Sequence, residues 1–214
     1  IEKIHERINI IHSHGIRNIR VLDRTFNYNN KYARELLNLF MQYPDTRFHL
    51  EIHPALLTNE LKEILKQIPP GLLHLEAGIQ SLKEKVIFTC QRKGSVQAAL
   101  QGLQFLSTQS NLETHADLIA GLPYYNLDEI FADTRTLATC HAGEIQLESL
   151  KLLPGTRMRE KAKELGISYS PLPPYEVLRT PDMSPDDLHT AFLLSRLLDG
   201  FYNTKAWQEF TRKL

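Results

Sequence analysis

Cysteine is scarce in this sequence: Cys90 and Cys140 are the two among 214 residues. They lie 50 positions apart without a CxxC partner, which excludes a disulfide framework and a zinc knuckle. A reducing cytoplasm is the expected compartment. Long apolar runs are missing too. None approaches the roughly 20 residues of a membrane span, so no membrane partner is expected. Neither sign of charge prevails, with 25 basic against 25 acidic residues. That argues against nucleic acid as a partner, because its binders present a basic face. Glycine-rich phosphate loops are absent: the turns at Gly78 and Gly121 lack GxGxxG spacing, and no GxxxxGK[ST] occurs. No GxSxG elbow is present either, which weakens a serine hydrolase.

What the chain does carry is a regular alternation of elements. Residues 1–14 place Ile4, Ile8 and Ile11 at helical spacing and end at Gly15. A strand is expected at 19–22, then a helix at 31–43 with Ala33, Leu36, Leu37 and Phe40 on one face. A strand at 48–52 precedes a helix capped by Thr58. Leu72, Leu73 and Leu75 read as a buried parallel strand that stops at Glu76. Gly78 then gives the turn its freedom and Ser81 caps the next helix. A broken helix (82–88 and 95–106) and a strand at 114–120 follow, then a helix to Thr139 opened by Asn126 and Glu129. Residues 145–150 form the fifth strand, and Pro154-Gly155-Thr156 leads into a helix ending at Gly166. Alternation at this length demands parallel crossovers, as a barrel or as an open doubly wound sheet. Beyond Gly166 the rhythm breaks. Residues 168–185 hold five prolines and no clear strand. Ser184-Pro185 then starts a helix over 186–198, and a short helix surrounds Trp207.

Each strand delivers polar groups at its C-terminal end. They are Asp23 and Asn27, Glu51 and His53, Glu76 and Gln80, His115 and Asp117, and Gln146 and Glu148. The recurrence points to one polar mouth, where α/β folds place their chemistry. The two-fold alternation of strands puts about a third of the set on outward faces. Tyr124 and Tyr125 wall a pocket or pack in the core, and both readings stay open.

Three motifs occur in order, each at a strand end. They are Glu51-Ile52-His53-Pro54, Glu76-x-Gly78-Ile79-Gln80-Ser81 and Ala116-Asp117-Leu118-Ile119-Ala120-Gly121-Leu122-Pro123. Together they resemble the barrel of radical S-adenosylmethionine (SAM) enzymes, the branch with oxygen-independent coproporphyrinogen III oxidase. Leu22-Asp23-Arg24-Thr25-Phe26-Asn27 and Pro173-Pro174-Tyr175-Glu176-Val177-Leu178 are similar to the subgroup carrying an N-terminal cobalamin-binding domain. The resemblance implies an α/β fold: a partial TIM-type (β/α) barrel of parallel strands lacking its first strand, over 1–167. Residues 168–214 then form a proline-rich arm and C-terminal helices packed on the barrel. It also implies that Glu51 receives the methionyl ammonium of SAM and Arg92 its carboxylate. Gln80 and Asp117 take the ribose hydroxyls, and the segment from Ile119 to Gly121 lies against the adenine. These roles suit the groups: arginine binds carboxylate bidentately, and a diol is read by acceptors such as Asp and Gln.

The departure from the family is large. Its chemistry uses a CxxxCxxC loop to hold a [4Fe–4S] cluster, and this sequence has no such loop. The chain opens inside a helix at Ile1 rather than at Met. It is therefore expected to be a piece of a longer protein, begun ahead of the barrel's second strand. That parent would carry the cluster segment and a cobalamin domain upstream, and would generate a 5′-deoxyadenosyl radical to act on an unidentified substrate. The piece itself is expected to be inactive. One rival reading is a metal-dependent TIM-barrel hydrolase or isomerase using Glu51, His53, Glu76, His115 and Asp117. Another is a non-catalytic SAM-binding scaffold.

Overall fold

In the computed structural model, residues 1–211 are described. The chain begins with α1 (Glu2–Ser13), β1 (Asn18–Arg20), α2 (Asn30–Phe40), β2 (Arg47–Ile52) and α3 (Asn59–Lys66). It continues through β3 (Leu73–Gln80), α4 (Glu84–Thr89), α5 (Val96–Ser107), β4 (Glu113–Ala120) and α6 (Leu127–Thr139). Then come β5 (Glu144–Ser149), α7 (Arg157–Glu160), β6 (Ser168–Tyr169), β7 (Val177–Arg179), α8 (Pro185–Leu197) and α9 (Lys205–Thr211).

Strands β1 to β5 form one parallel sheet in the order 1-2-3-4-5. A doubly wound sheet reverses its strand order at a switch point, whereas barrel strands follow the chain. The barrel arrangement therefore stands. Local chemistry sets the helix starts. The Asn29 side chain accepts from Tyr32 N–H at α2, and the Thr58 hydroxyl accepts from Leu61 N–H at α3. Asn126 and Glu129 form a reciprocal capping box at α6. Ser184 and Asp187 do the same at α8, with Pro185 in the first turn.

Two compact units divide the chain: Ile1–Gly78 with Gln97–His115, and Ile79–Val96 with Ala116–Leu214. In the first, β2 alternates strictly: Phe48, Leu50 and Ile52 are buried while Arg47, His49 and Glu51 are partly exposed. Phe40 of α2 stacks on Phe48 with ring centroids 4.1 Å apart. In the second, Leu152, Ala162, Ile167 and Val177 form a buried cluster against which Leu188 of α8 packs. Gly121, which ends β4, has φ +88°, and a Cβ there would meet Val177 and Leu188 at 3.4 Å. Glycine alone accepts that backbone without strain.

Several sequence expectations are corrected. Strand β3 does not stop at Glu76 but runs to Gln80, with Leu75, Ala77 and Ile79 buried and Glu76, Gly78 and Gln80 partly exposed. It reads as apolar on both faces only while its leucines are considered. One face is polar, and ladder bonds to β2 keep it extended. The left-handed residue is Gln80 (φ 70°), while Gly78 lies inside the strand. Ser81 does not cap α4, whose N-cap is Lys83. The helix after Thr156 is one regular turn followed by irregular turns, although Gly166 still closes it with φ +67°. Residues 168–185 do contain strands, since β6 and β7 pair antiparallel. Strand β1 is shorter than expected, ending at Arg20.

Candidate functional site

The polar side chains of the first unit arise from a period of two. Arg47, His49 and Glu51 alternate along β2, and His74 and Glu76 along β3. The parallel register sets His49 beside His74 and Glu51 beside Glu76. Glu113 and His115 open β4 with the same spacing.

Glu76 is the anionic centre of this face. Its Oε1 accepts from Arg20 Nη2 at 2.8 Å, forms a close hydrogen bond with His49 Nε2, and lies 3.8 Å from His115 Nε2. Arg20 also approaches Glu51 at 3.7 Å, so one guanidinium serves two carboxylates. Arg47 Nη2 hydrogen-bonds both His74 Nδ1 and Glu113 Oε2, and His74 Nε2 meets His115 Nδ1 at 2.8 Å. His115 is buried, and burial pushes its pKa down to about 3, helped by His74, His49 and Arg20. Burial also lowers the pKa of His74, with His49 and Arg47 adding to the effect.

Asn27 and His53 are brought together, but as scaffold. The Asn27 amide donates to His53 C=O at 2.9 Å and accepts from His53 N–H at 2.8 Å. His53 Nδ1 accepts from Ala55 N–H. The histidines whose ring nitrogens gather with that of His115 are His49 and His74 rather than His53, and the sequence reading passed over both. Their signal was present: a polar residue at every second position of three successive strands. Asp23 is exposed and accepts from Thr25 N–H in a local turn.

The second unit holds Gln80, Arg92, Asp117, Ile119 and Gly121. The left-handed φ of Gln80 ends β3, and such a conformation in a non-glycine residue costs on the order of 1–3 kcal/mol. Arg92 is partly buried. Burial lowers its pKa, and the Asp117 carboxylate pushes it back up. Arg92 lines a cleft of about 610 Å³ with Cys90, Tyr124, Arg157 and Lys161. Cys90 is half-buried, and burial raises its thiol to about 11, so it stays protonated near neutrality. The tyrosine pair splits its roles. Tyr124 borders the cleft with Lys85 Nζ over its ring at 3.8 Å, whereas Tyr125 is fully buried and donates to Asp133 at 2.7 Å. Gln146 is half-buried on β5, while Glu148 is exposed and pairs with Lys151 at 3.7 Å.

Five successive parallel strands in chain order, with helices between them, define a partial (β/α) barrel. The fold is more particularly that of radical SAM enzymes. The chain is similar to the radical SAM methyltransferase TsrM of Kitasatospora setae with cobalamin and a [4Fe–4S] cluster bound. That likeness has 15% identity and a TM-score of 0.64, over 87% of this chain and 37% of that one. Against TsrM with tryptophan and a SAM analogue the TM-score is 0.70 at 13% identity, over 90% of this chain and 45% of that one. It is also similar to the radical SAM coproporphyrinogen III oxidase HemN of Escherichia coli. There the TM-score is 0.56 at 16% identity, over 79% of this chain and 37% of that one. The chain thus spans less than half the length of each of these proteins. Residues 163–214 match a family described as "Protein of unknown function (DUF4080)". No curated protein matches the sequence.

Proposed function

We propose that this chain is the SAM-binding barrel portion of a radical SAM enzyme. The observation that carries this is the barrel likeness, together with Gln80, Arg92 and Asp117 at the positions where the family's motifs fall. Residues 1–167 would supply the barrel and 168–214 its extension. SAM is a zwitterion on a nucleoside, and the residues present fit it. Arg92 offers a fork for the carboxylate, its cationic form supported by Asp117. Asp117 and Gln80 are acceptors for the ribose hydroxyls. Ile119 and the backbone to Gly121 give the adenine an apolar wall. Bound SAM supplies the adenosyl group that the family's radical chemistry uses.

The cluster does not fit this chain. A [4Fe–4S] cluster is held by three or four thiolates, and Cys90 and Cys140 are the two thiols present. In the whole protein, cluster and cobalamin would be held by other segments, and the substrate would be a small molecule or peptide group placed by the extension.

The test is calorimetric titration of this chain with SAM. Saturable binding is expected, weakened about tenfold (about 1.4 kcal/mol) in Arg92→Lys and in Asp117→Asn. Absence of saturable binding by folded wild-type chain at millimolar SAM would overturn the reading.

A further inference from the structure

We propose that His49, His74 and His115 bind one divalent transition-metal ion of the zinc type, independently of the SAM reading. The three rings form one cluster on the polar face of β2, β3 and the start of β4. His49 and His74 stack at 4.5 Å between centroids, and His115 meets His74 edge-on at 4.9 Å. One ring nitrogen from each lies within 4.8 Å of the other two. Zinc–nitrogen bonds of 2.0–2.1 Å set ligand nitrogens about 3.3 Å apart in a tetrahedron. The 2.8 Å contact between His74 and His115 then opens by about 0.5 Å, and the longer separations close by at most about 1.5 Å. Side-chain torsions supply such movements without moving the strands.

Carboxylates of the kind that orient metal-bound imidazoles stand beside two of the rings, Glu76 at His49 and Glu113 at His74. Arg47 donates to His74 Nδ1, so the His74 proton sits on Nε2 and points at His115 Nδ1. An ion placed there displaces that proton; Nδ1 takes one up from solvent as the Arg47 N–H swings off it, Arg47 keeping its bond to Glu113, and the ring stays neutral. The new Nδ1–H has its acceptor ready in Glu113 Oε2, 3.6 Å away. Glu76 already bonds His49 Nε2, a carboxylate contact that fixes the orientation of this ring. Arg20 and Arg47 are outnumbered by Glu51, Glu76 and Glu113, so the face accommodates added positive charge. A cleft of about 370 Å³ bordered by Arg20, Arg47, His49 and His74 gives an ion access. Imidazole donors select zinc, cobalt or nickel over magnesium and calcium.

The experiment uses the purified chain, stripped with chelator and dialysed against zinc chloride. One equivalent of zinc per chain is expected, with a rise in the thermal midpoint. Cobalt(II) should give a visible absorption band that saturates at one equivalent. His49→Gln and His74→Gln, both at partly exposed positions, should lose the stoichiometric zinc or weaken it at least tenfold, while His12→Gln retains it. Far-UV circular dichroism establishes that the variants fold. Failure of the wild type to hold zinc at micromolar free metal, or unchanged binding in both folded variants, would overturn the proposal.

Discussion

Gly102 shows how a single residue can decide a packing distance. It lies in α5, and a Cβ built on it would fall 2.2 Å from the carbonyl oxygen of Pro54 and 2.7 Å from its carbonyl carbon. Both are backbone atoms, so no rotamer change relieves the clash. Gly102→Ala is expected to destabilise the fold by about 2–3 kcal/mol, read as a lower urea midpoint with unchanged slope; an unchanged midpoint would refute this. The sequence shows a glycine inside a helical pattern and nothing of Pro54, which lies 48 positions away. At the same scale Asn126, Thr58 and Gly15 were legible, because a cap is satisfied by groups within a few residues of itself.

Asp133 plays the corresponding role between elements. From inside α6 its carboxylate accepts from Leu82 N–H at 2.7 Å, from the Ser81 hydroxyl at 3.2 Å and from the Tyr125 hydroxyl at 2.7 Å. Lys83 Nζ stands 3.4 Å off. It therefore pins the entry to α4 and the turn before α6, accepting from the Ser81 hydroxyl while that same hydroxyl oxygen accepts from Lys83 N–H. Asp133→Ala leaves three donors, two of them buried, without this acceptor and is expected to cost about 3 kcal/mol. Asp133→Asn, which keeps one acceptor oxygen, should recover part of that. Urea unfolding of the two variants checks the order; equal losses would refute it. Elements with long periodic patterns, such as α2 and α6, lay near their expected bounds. The α7 segment and the β6–β7 ribbon did not, because short pieces take their form from the cluster of Leu152, Ala162, Ile167 and Val177 that they cover.

At the scale of the whole molecule the histidines set the acid limit of stability. His74 and His115 fold with pKa values below the ordinary 6.5, that of His115 near 3, chiefly through burial. Above about pH 6.5 both states are neutral and the stability is complete. Below it the unfolded chain takes up protons that the folded chain does not, so stability falls as pH drops toward 3. Each histidine contributes up to about 1.4 kcal/mol per pH unit. His115→Gln should flatten the decline, read from urea midpoints at pH 7.5 and 5; an unaltered slope would refute this. The sequence by itself determined the alternation of strands and helices, the caps and the parallel connectivity, since all rest on periodicity and short-range bonds. The strand order, the Asn27–His53 and Asp133 ties, and the meeting of His49, His74 and His115 were decided by the tertiary structure. Register, which brings together residues of different strands, is a property of the assembled sheet and is written in no single segment.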